Sequence, residues 1–299
     1  MITSLIFAIL GYIVLAVVAV LDKFILSKSL KHPAVYAFYS TIFSVLAFLF
    51  LPFVGFPTGF DLVWSIISGV SFGLGVWTMF IAFRHSEASH LSPFLGAVIA
   101  IVSLGLSYLI LGDSLTLIQT MGVIFLISAS FLLSFEKSRE HEGFHIGFVW
   151  AILSAILFSL SHVLAKYIYI NYSFLSGLVW TRGTVSFVGL LIILIPTFSR
   201  QIFHKKSHIQ KTNQVSSVRI VITVKLLGIV SVLLIQYAIS LGNVAVVNAL
   251  AGVQYVLMFI IIYWLTRFYP KLFFEYFTRK ELVIQSTAIL FIVVGLIFL

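Results

Sequence analysis

Trp77, Gln236, Asn248, Tyr255, His162, Lys166 and Arg182 interrupt stretches of sequence that are otherwise apolar. The first four are uncharged and can hydrogen-bond. They would either grip a polar solute or tie one helix to another, an interaction worth only about 1 kcal/mol each inside a membrane. Lys166 and Arg182 are candidates for contact with an anion. The alternative for a long basic side chain near the end of an apolar run is to snorkel towards the interface. Arg182 follows Trp180-Thr181 near the expected start of its run, where a cation opposes the helix dipole. His162 precedes Lys166 by one helical turn, and a histidine can gain or lose a proton near neutrality. Together with His90 and Glu87 it is the group on which any proton coupling would have to rest.

Other chemistries are excluded or unsupported. The nine acidic residues all fall at the ends of apolar runs or between them. A pump that exchanges protons for cations needs a carboxylate embedded in the membrane, and none stands there. The chain has no cysteine, so it offers neither disulfide nor thiolate metal site. His141 and His145 have helical spacing, but Gly143 and a loop boundary lie between them. No glycine-rich phosphate loop, nucleophile elbow or His-Glu-x-x-His element is present. No metal or cofactor is called for.

These residues must be held by helices in lipid. Of the 299 residues, 61% are hydrophobic and only 9% charged, whereas a soluble domain has roughly a quarter of its residues charged. Apolar runs of about 20 residues recur throughout, the length that crosses a bilayer, and they lack the alternation of barrel strands. The fold class is all-α and polytopic. Ten spans are expected, at residues 3–21, 34–53, 62–83, 88–111, 116–135, 145–165, 174–196, 220–241, 244–266 and 281–299. The first is read as a span rather than a cleaved signal, because it has no basic leader and no small-residue cleavage site. Gly69-x-x-x-Gly73 in the third span marks a close helix approach. Trp64, Trp150, Trp180 and Trp264 fall at run ends, as interfacial tryptophans do, while Trp77 is well inside its run.

The spans form two groups of five, residues 1–140 and 141–299, separated by the hydrophilic stretch 136–143. Ala8 aligns with Ala151, Val20 with Val163 and Lys23 with Lys166, at an offset of 143 residues. In the middle the offset is 156, so Ser92 falls on Asn248, Gly96 on Gly252 and Ile99 on Tyr255. Ser92, Gly96, Ile99, Ser103 and Ser107 make a narrow stripe at helical spacing, and Asn248, Gly252 and Tyr255 share the corresponding face of the ninth span. Five is an odd number, so the second copy enters the membrane upside down. Inverted repeats of this kind place a solute site between the copies. The stripe residues Ser92, Gly96, Asn248 and Tyr255 are therefore candidates to line a pathway, with Trp77 and Gln236 beside them.

On the 5+5 repeat, on the stretch LGDSLTLIQTMGVIFLISA and on the basic residue in Trp180-Thr181-Arg182, the sequence resembles the drug/metabolite transporter superfamily in its ten-span EamA-type branch. The resemblance covers nearly the whole chain. It departs at Ala100, where the family usually has proline, and in the second half, where Glu275 or Glu281 would replace the acidic residue of the LGE element. The resemblance implies a solute carrier with a central cavity open alternately to each side.

Of the 18 Lys and Arg residues only Lys166 and Arg182 flank an even-numbered loop. The positive-inside rule then puts the odd loops in the cytoplasm and both termini outside, whereas the resemblance implies termini inside. The net charge of +9 is a topology signal and a contact with anionic lipid headgroups, not a nucleic-acid surface. The expected function is secondary transport of a small polar metabolite, an amino-acid-like or other organic anion or zwitterion, across the cytoplasmic membrane, coupled to a proton or counter-solute. Two alternatives stand beside it: a flippase for a lipid-linked sugar, and an intramembrane enzyme using His90, Glu87 and His162.

Overall fold

A computed structural model describes residues 2–26, 33–85, 88–134, 146–203, 214–268 and 279–299. All described elements are helical. In chain order they are α1 (Ile2–Leu26), α2 (Pro33–Thr41), a 3₁₀ segment (Ile42–Phe53), α3 (Phe60–His85), α4 (Ala88–Leu106), a π turn (Ser107–Leu111) and α5 (Leu117–Ser134). The second half follows with α6 (Ile146–Asn171), α7 (Phe174–Gly183), α8 (Ser186–Leu194), α9 (Pro196–Phe203), α10 (Gln214–Leu241), α11 (Val244–Ala249), α12 (Ala251–Phe268) and α13 (Arg279–Ile297). Among the described residues eight helical stretches are long and apolar enough to cross a membrane, and Leu226–Leu241 and Leu282–Ile297 are shorter apolar helices. The protein is a polytopic helical membrane protein.

Its radial pattern is that of a protein solvated by lipid. Leu49, Leu190 and Val293 face outward, while Ala8, Ala151, Ala155, Ser68, Ser154 and Ser161 are fully buried. Small residues let backbones approach, and their hydroxyls can then reach the facing carbonyls. Ser68 Oγ donates to Ser161 O at 2.8 Å and Ser154 Oγ to Gly75 O at 2.8 Å, which fastens α3 to α6. Ser159 Oγ donates to Ile99 O at 3.0 Å and ties α6 to α4.

The principal helix pairs are α3 with α6, α1 with α10, α5 with α13, α4 with α6, α4 with α5, α1 with α12, and α4 with α11. Ser4 Oγ donates to Ala238 O at 2.8 Å, and Gly122 packs on Gly295 and Leu299. Residues 2 and 299 therefore lie at the same end of the bundle, with the links at 112–116 and 242–243.

Four expected spans are not continuous α-helices, one of them being 88–111, which changes to π geometry after Leu106. Span 34–53 changes to 3₁₀ geometry after Thr41, span 174–196 breaks between Gly183 and Ser186, and span 244–266 breaks at Leu250. At the breaks near Thr41 and Thr184 a threonine hydroxyl bonds back onto the preceding turn, as Thr78 also does within the unbroken α3. Thr41 Oγ1 donates to the carbonyls of Ala37 and Phe38, at 2.7 and 3.3 Å. Thr184 Oγ1 donates to those of Trp180 and Thr181, at 2.8 and 3.4 Å, and to Ser65 O at 3.2 Å. A hydroxyl bonded back onto the preceding turn competes with the helix ladder and bends it. Thr41 and Thr184 are 143 residues apart, the offset that aligns Ala8 with Ala151 in the sequence.

Two boundaries also move. Helix α6 runs on to Asn171 rather than ending at 165, and α10 begins at Gln214, inside the stretch expected to be a loop. Gly112, at φ 68°, ends the π turn in a left-handed conformation open to glycine without strain. Thr116 and Gln119 then cap α5 reciprocally: Gln119 N donates to Thr116 Oγ1 at 3.3 Å and Thr116 N to Gln119 Oε1 at 3.0 Å. That capping box is the physical content of the Leu-Thr-x-x-Gln motif.

Candidate functional site

The inner face of α6 carries Phe158, His162, Lys166 and Tyr169 at three- and four-residue spacing, one stripe along the helix. Each meets a partner from another element. Asn248, at the end of α11, donates through Nδ2 to Ser103 Oγ of α4 at 2.7 Å. Its Oδ1 lies 3.0 Å from His162 Nδ1. With the amide so oriented, Nδ1 carries the imidazole proton and donates it to Oδ1, leaving the Nε2 lone pair free of any described partner. Tyr169 donates to Gln236 Oε1 of α10 at 3.0 Å, and Lys166 Nζ donates to Ser240 O at 2.9 Å. Four of the polar residues expected from the sequence thus meet around α6: His162, Asn248, Gln236 and Lys166. His162 is half-buried, with Phe72, Phe158 and Asn248 around it.

Arg182 is the anomaly. It is 8% exposed, and Nε, Nη1 and Nη2 are all buried without a hydrogen-bond partner. Its guanidinium lies over the Phe72 ring, 4.3 Å from the centroid. The Tyr169 hydroxyl is close enough to interact electrostatically but lacks hydrogen-bond geometry. Among the described residues no carboxylate pairs with it, and Glu87 lies outside them.

The position differs from the sequence expectation. The break at Thr184 puts Arg182 in the last turn of the ten-residue helix α7, not near the start of a long one. There the dipole favours a cation by about 1–2 kcal/mol, and the ring adds about 2 kcal/mol. Desolvation costs several kcal/mol, and neither contribution meets any of the five N–H donors of a guanidinium, each costing about 1–3 kcal/mol when buried unmet. The deficit fits a site made for an anionic group with several acceptor oxygens.

One helical turn past His162, a polar space opens at the end of the bundle that holds residues 2 and 299. This cavity of about 330 Å³ is lined by Lys166, Asp113, Gln119, Asn243 and Ser4 among others. Asn243 Nδ2 donates to Asp113 Oδ2 at 3.1 Å, while its Oδ1 accepts from Ala245 N and Val246 N at the start of α11. A link from each half is thereby joined at the cavity rim.

The remaining expected residues fall elsewhere or in a different role. Trp77 packs edge-on against Phe198 of α9, 5.7 Å between centroids, away from His162 and Arg182. Ser92 is half-buried near the start of α4. Gly96 and Tyr255 are both buried and touch each other, so in this conformation the stripe is a seam between α4 and α12. Lys23, His90 and Glu281 have side chains outside the described residues, as are Glu87, His141, His145 and Glu275. Phe72, Tyr169 and Asp113 belong to the site without having been picked out. An aromatic residue in an apolar run carries no signal, and Asp113 read only as part of a motif.

No protein-family model and no curated protein matches the chain. A solved structure, described only as the crystal structure of a protein, superposes with a TM-score of 0.61 at 16% identity. The match covers 99% of this chain and 94% of that one. Likeness at this identity is likeness of fold.

Proposed function

We propose that the protein is a secondary transporter that moves a small anionic or zwitterionic metabolite across the cytoplasmic membrane by alternating access. The observation that carries this reading is the buried, unpartnered guanidinium of Arg182 at a helix break inside the membrane. Discontinuous helices that meet at mid-membrane are where secondary carriers hold their solutes.

The architecture we propose is ten spans in a 5+5 inverted repeat, in which the shorter apolar stretches of α10 and α13 complete the set. Exchange of the halves supports it. Swapping span one with six and three with eight turns the α3–α6 pair into α10–α1, and span five's contact with span ten maps onto itself. The α4–α6 pair becomes the pair of α12 with α1. The two threonine breaks at the repeat offset point the same way. The stretch LGDSLTLIQTMGVIFLISA and the basic residue of Trp180-Thr181-Arg182 support membership of the EamA-type branch of the drug/metabolite transporter superfamily.

The test is a thermal-shift panel of small carboxylates on the purified protein, with Arg182→Gln beside it. A carboxylate at 100 times its Kd stabilises the wild type by about 2.7 kcal/mol. The variant should lose the shift while its ligand-free melting temperature equals or exceeds that of the wild type, because unmet donors have been removed from the interior. Shifts of equal size in both proteins would show that Arg182 is structural.

A further inference from the structure

Two groups of the second half that can carry positive charge stand where the first half has no such group, and the fold brings both to one phenyl ring. At the offset of 143, Arg182 corresponds to Tyr39 and His162 to Ala19. The duplicated frame therefore requires neither charge. Yet Arg182 lies 4.3 Å from the Phe72 centroid, and the His162 ring lies 6.2 Å from the same centroid at 40°. Phe158 flanks the imidazole at 6.5 Å and 28°. The guanidinium and the imidazole both lie against the Phe72 ring in the interior, so a charge on one is felt by the other with little screening.

We infer that His162 carries a proton whose presence follows the occupancy of Arg182, so that a dianion and one proton cross together. This rests on the transporter reading and adds its coupling ion and substrate class.

The charge balance is what links them. While Arg182 is unpaired, a second positive charge across Phe72 is strongly disfavoured. A bound dianion reverses this, because Arg182 neutralises one of its charges and leaves the other unmatched. Protonated His162 neutralises the second, and the loaded site moves through lipid without net charge. A monoanion is already balanced by Arg182 and draws no proton.

The step itself is a single proton transfer. Hydronium gives its proton to the free Nε2 lone pair and leaves as water, while Nδ1–H keeps its bond to Asn248 Oδ1. On the far side the Nε2–H bond breaks and water accepts the proton as the dianion departs. No other bond changes.

Among the described residues the surroundings hold no competing carrier. From the elements packed on α6, α3 presents Phe72, α4 presents Ser103, α10 presents Gln236 and α11 presents Asn248, none of them ionisable in this range. Helix α7 presents Arg182. On α6 itself Tyr169 is bonded to Gln236, and Lys166 faces the end cavity that also holds Asp113. Tyr255 of α12 packs on Gly96 of α4.

The experiment reads one imidazole and needs no ligand. The full-length protein, labelled with ¹⁵N-histidine and assigned by loss of a signal in His162→Gln, is held at one mildly acidic pH. The ratio of doubly to singly protonated His162 is expected to rise at least tenfold in Arg182→Gln and Arg182→Met, while Arg182→Lys stays near the wild type. Arg182→Met leaves no polar head to bury, which guards against a variant that fails to fold. Equal protonation in all four proteins overturns the coupling, whereas the carboxylate panel can still succeed. For the substrate class, succinate added to wild type in weak buffer should raise the pH reported by a dye, and butyrate should not. An equal response to both, or to neither, removes the dianion.

Discussion

The ring of Tyr255 occupies the space that a side chain at Gly96 would need. A Cβ built on Gly96 would stand 2.7 Å from one ring carbon and 3.0 Å from another. Helices α4 and α12, one from each half, are therefore closed on each other at this level, and the facing stripes form the seam that must part if a path runs between the halves.

Gly96→Ala should accordingly lower stability by about 1–3 kcal/mol, the range for forcing a methyl into a filled core. Tyr255→Ala alone leaves a cavity and should cost about 3–5 kcal/mol, as for a large aromatic. In the double variant the methyl has room, so the two losses should add to less than their sum by at least 0.5 kcal/mol. Melting curves in detergent measure all four corners of the cycle. Strict additivity would mean the two residues do not touch.

The hydrogen-bonded chain from Ser103 through Asn248 to His162 joins α4, α11 and α6. Asn248→Ala should cost about 1–3 kcal/mol, since it leaves the imidazole N–H and the serine hydroxyl unmet in a buried place. Ser103→Ala should cost less, about 1 kcal/mol, and almost nothing when Asn248 is already alanine. A Ser103→Ala loss that is the same in both backgrounds would break the chain as drawn.

Much of this was legible in composition and pattern, and the failures have a common physical origin. A polar group in an apolar run stands out, so Arg182, His162, Asn248 and Gln236 were singled out in the sequence, and α6 meets two of them by hydrogen bonds two turns apart, Asn248 at His162 and Gln236 at Tyr169. The breaks after Thr41 and near Thr184 were not foreseen, because a threonine in a span is common and only its rotamer decides whether it bonds backwards. That one miss misplaced Arg182 along its helix. Phe72 was invisible for the opposite reason: it is one of 30 phenylalanines, and only its place between two ionisable groups distinguishes it. The Gly96–Tyr255 contact could not be read from spacing either, since a small-residue stripe looks the same whether it borders a passage or receives a ring.

Orientation follows from charge. Residues 2 and 299 share an end of the bundle with the links flanked only by Lys166 and Arg182, so the positive-inside rule assigns that end to the outside. Alkaline phosphatase fused after Leu299 should be active in a bacterial host, and a fluorescent protein fused there should stay dark. A fluorescent cytoplasmic fusion would reverse the assignment and place the Asp113–Lys166 cavity on the cytoplasmic side.

Three glycines separate a packing role from mere presence in a helix. A Cβ on Gly69 would meet the Thr184 hydroxyl and backbone of the α7–α8 break, with Thr181 O at 2.7 Å and Val185 N at 2.8 Å. Backbone cannot swing aside as a flexible side chain can, so Gly69→Ala must push α3 away from the segment that holds Arg182. Gly73 meets Val188 Cγ2 at 2.7 Å, a β-branched side chain with little rotamer freedom but a side chain nonetheless. Gly105 is exposed on α4 and has nothing within 4 Å. Alanine there only removes backbone freedom and should stabilise by about 0.5–1 kcal/mol. The expected order of melting temperature is Gly105→Ala above wild type, Gly73→Ala below it, and Gly69→Ala lowest, down by about 3 kcal/mol or more, at the upper end of what overpacking costs. The carboxylate shift should fall with Gly69→Ala and survive in Gly105→Ala, because only the first displaces the turn that carries the guanidinium. A Gly69→Ala protein that melts like the wild type would show that α3 does not pack against the α7–α8 break as closely as described.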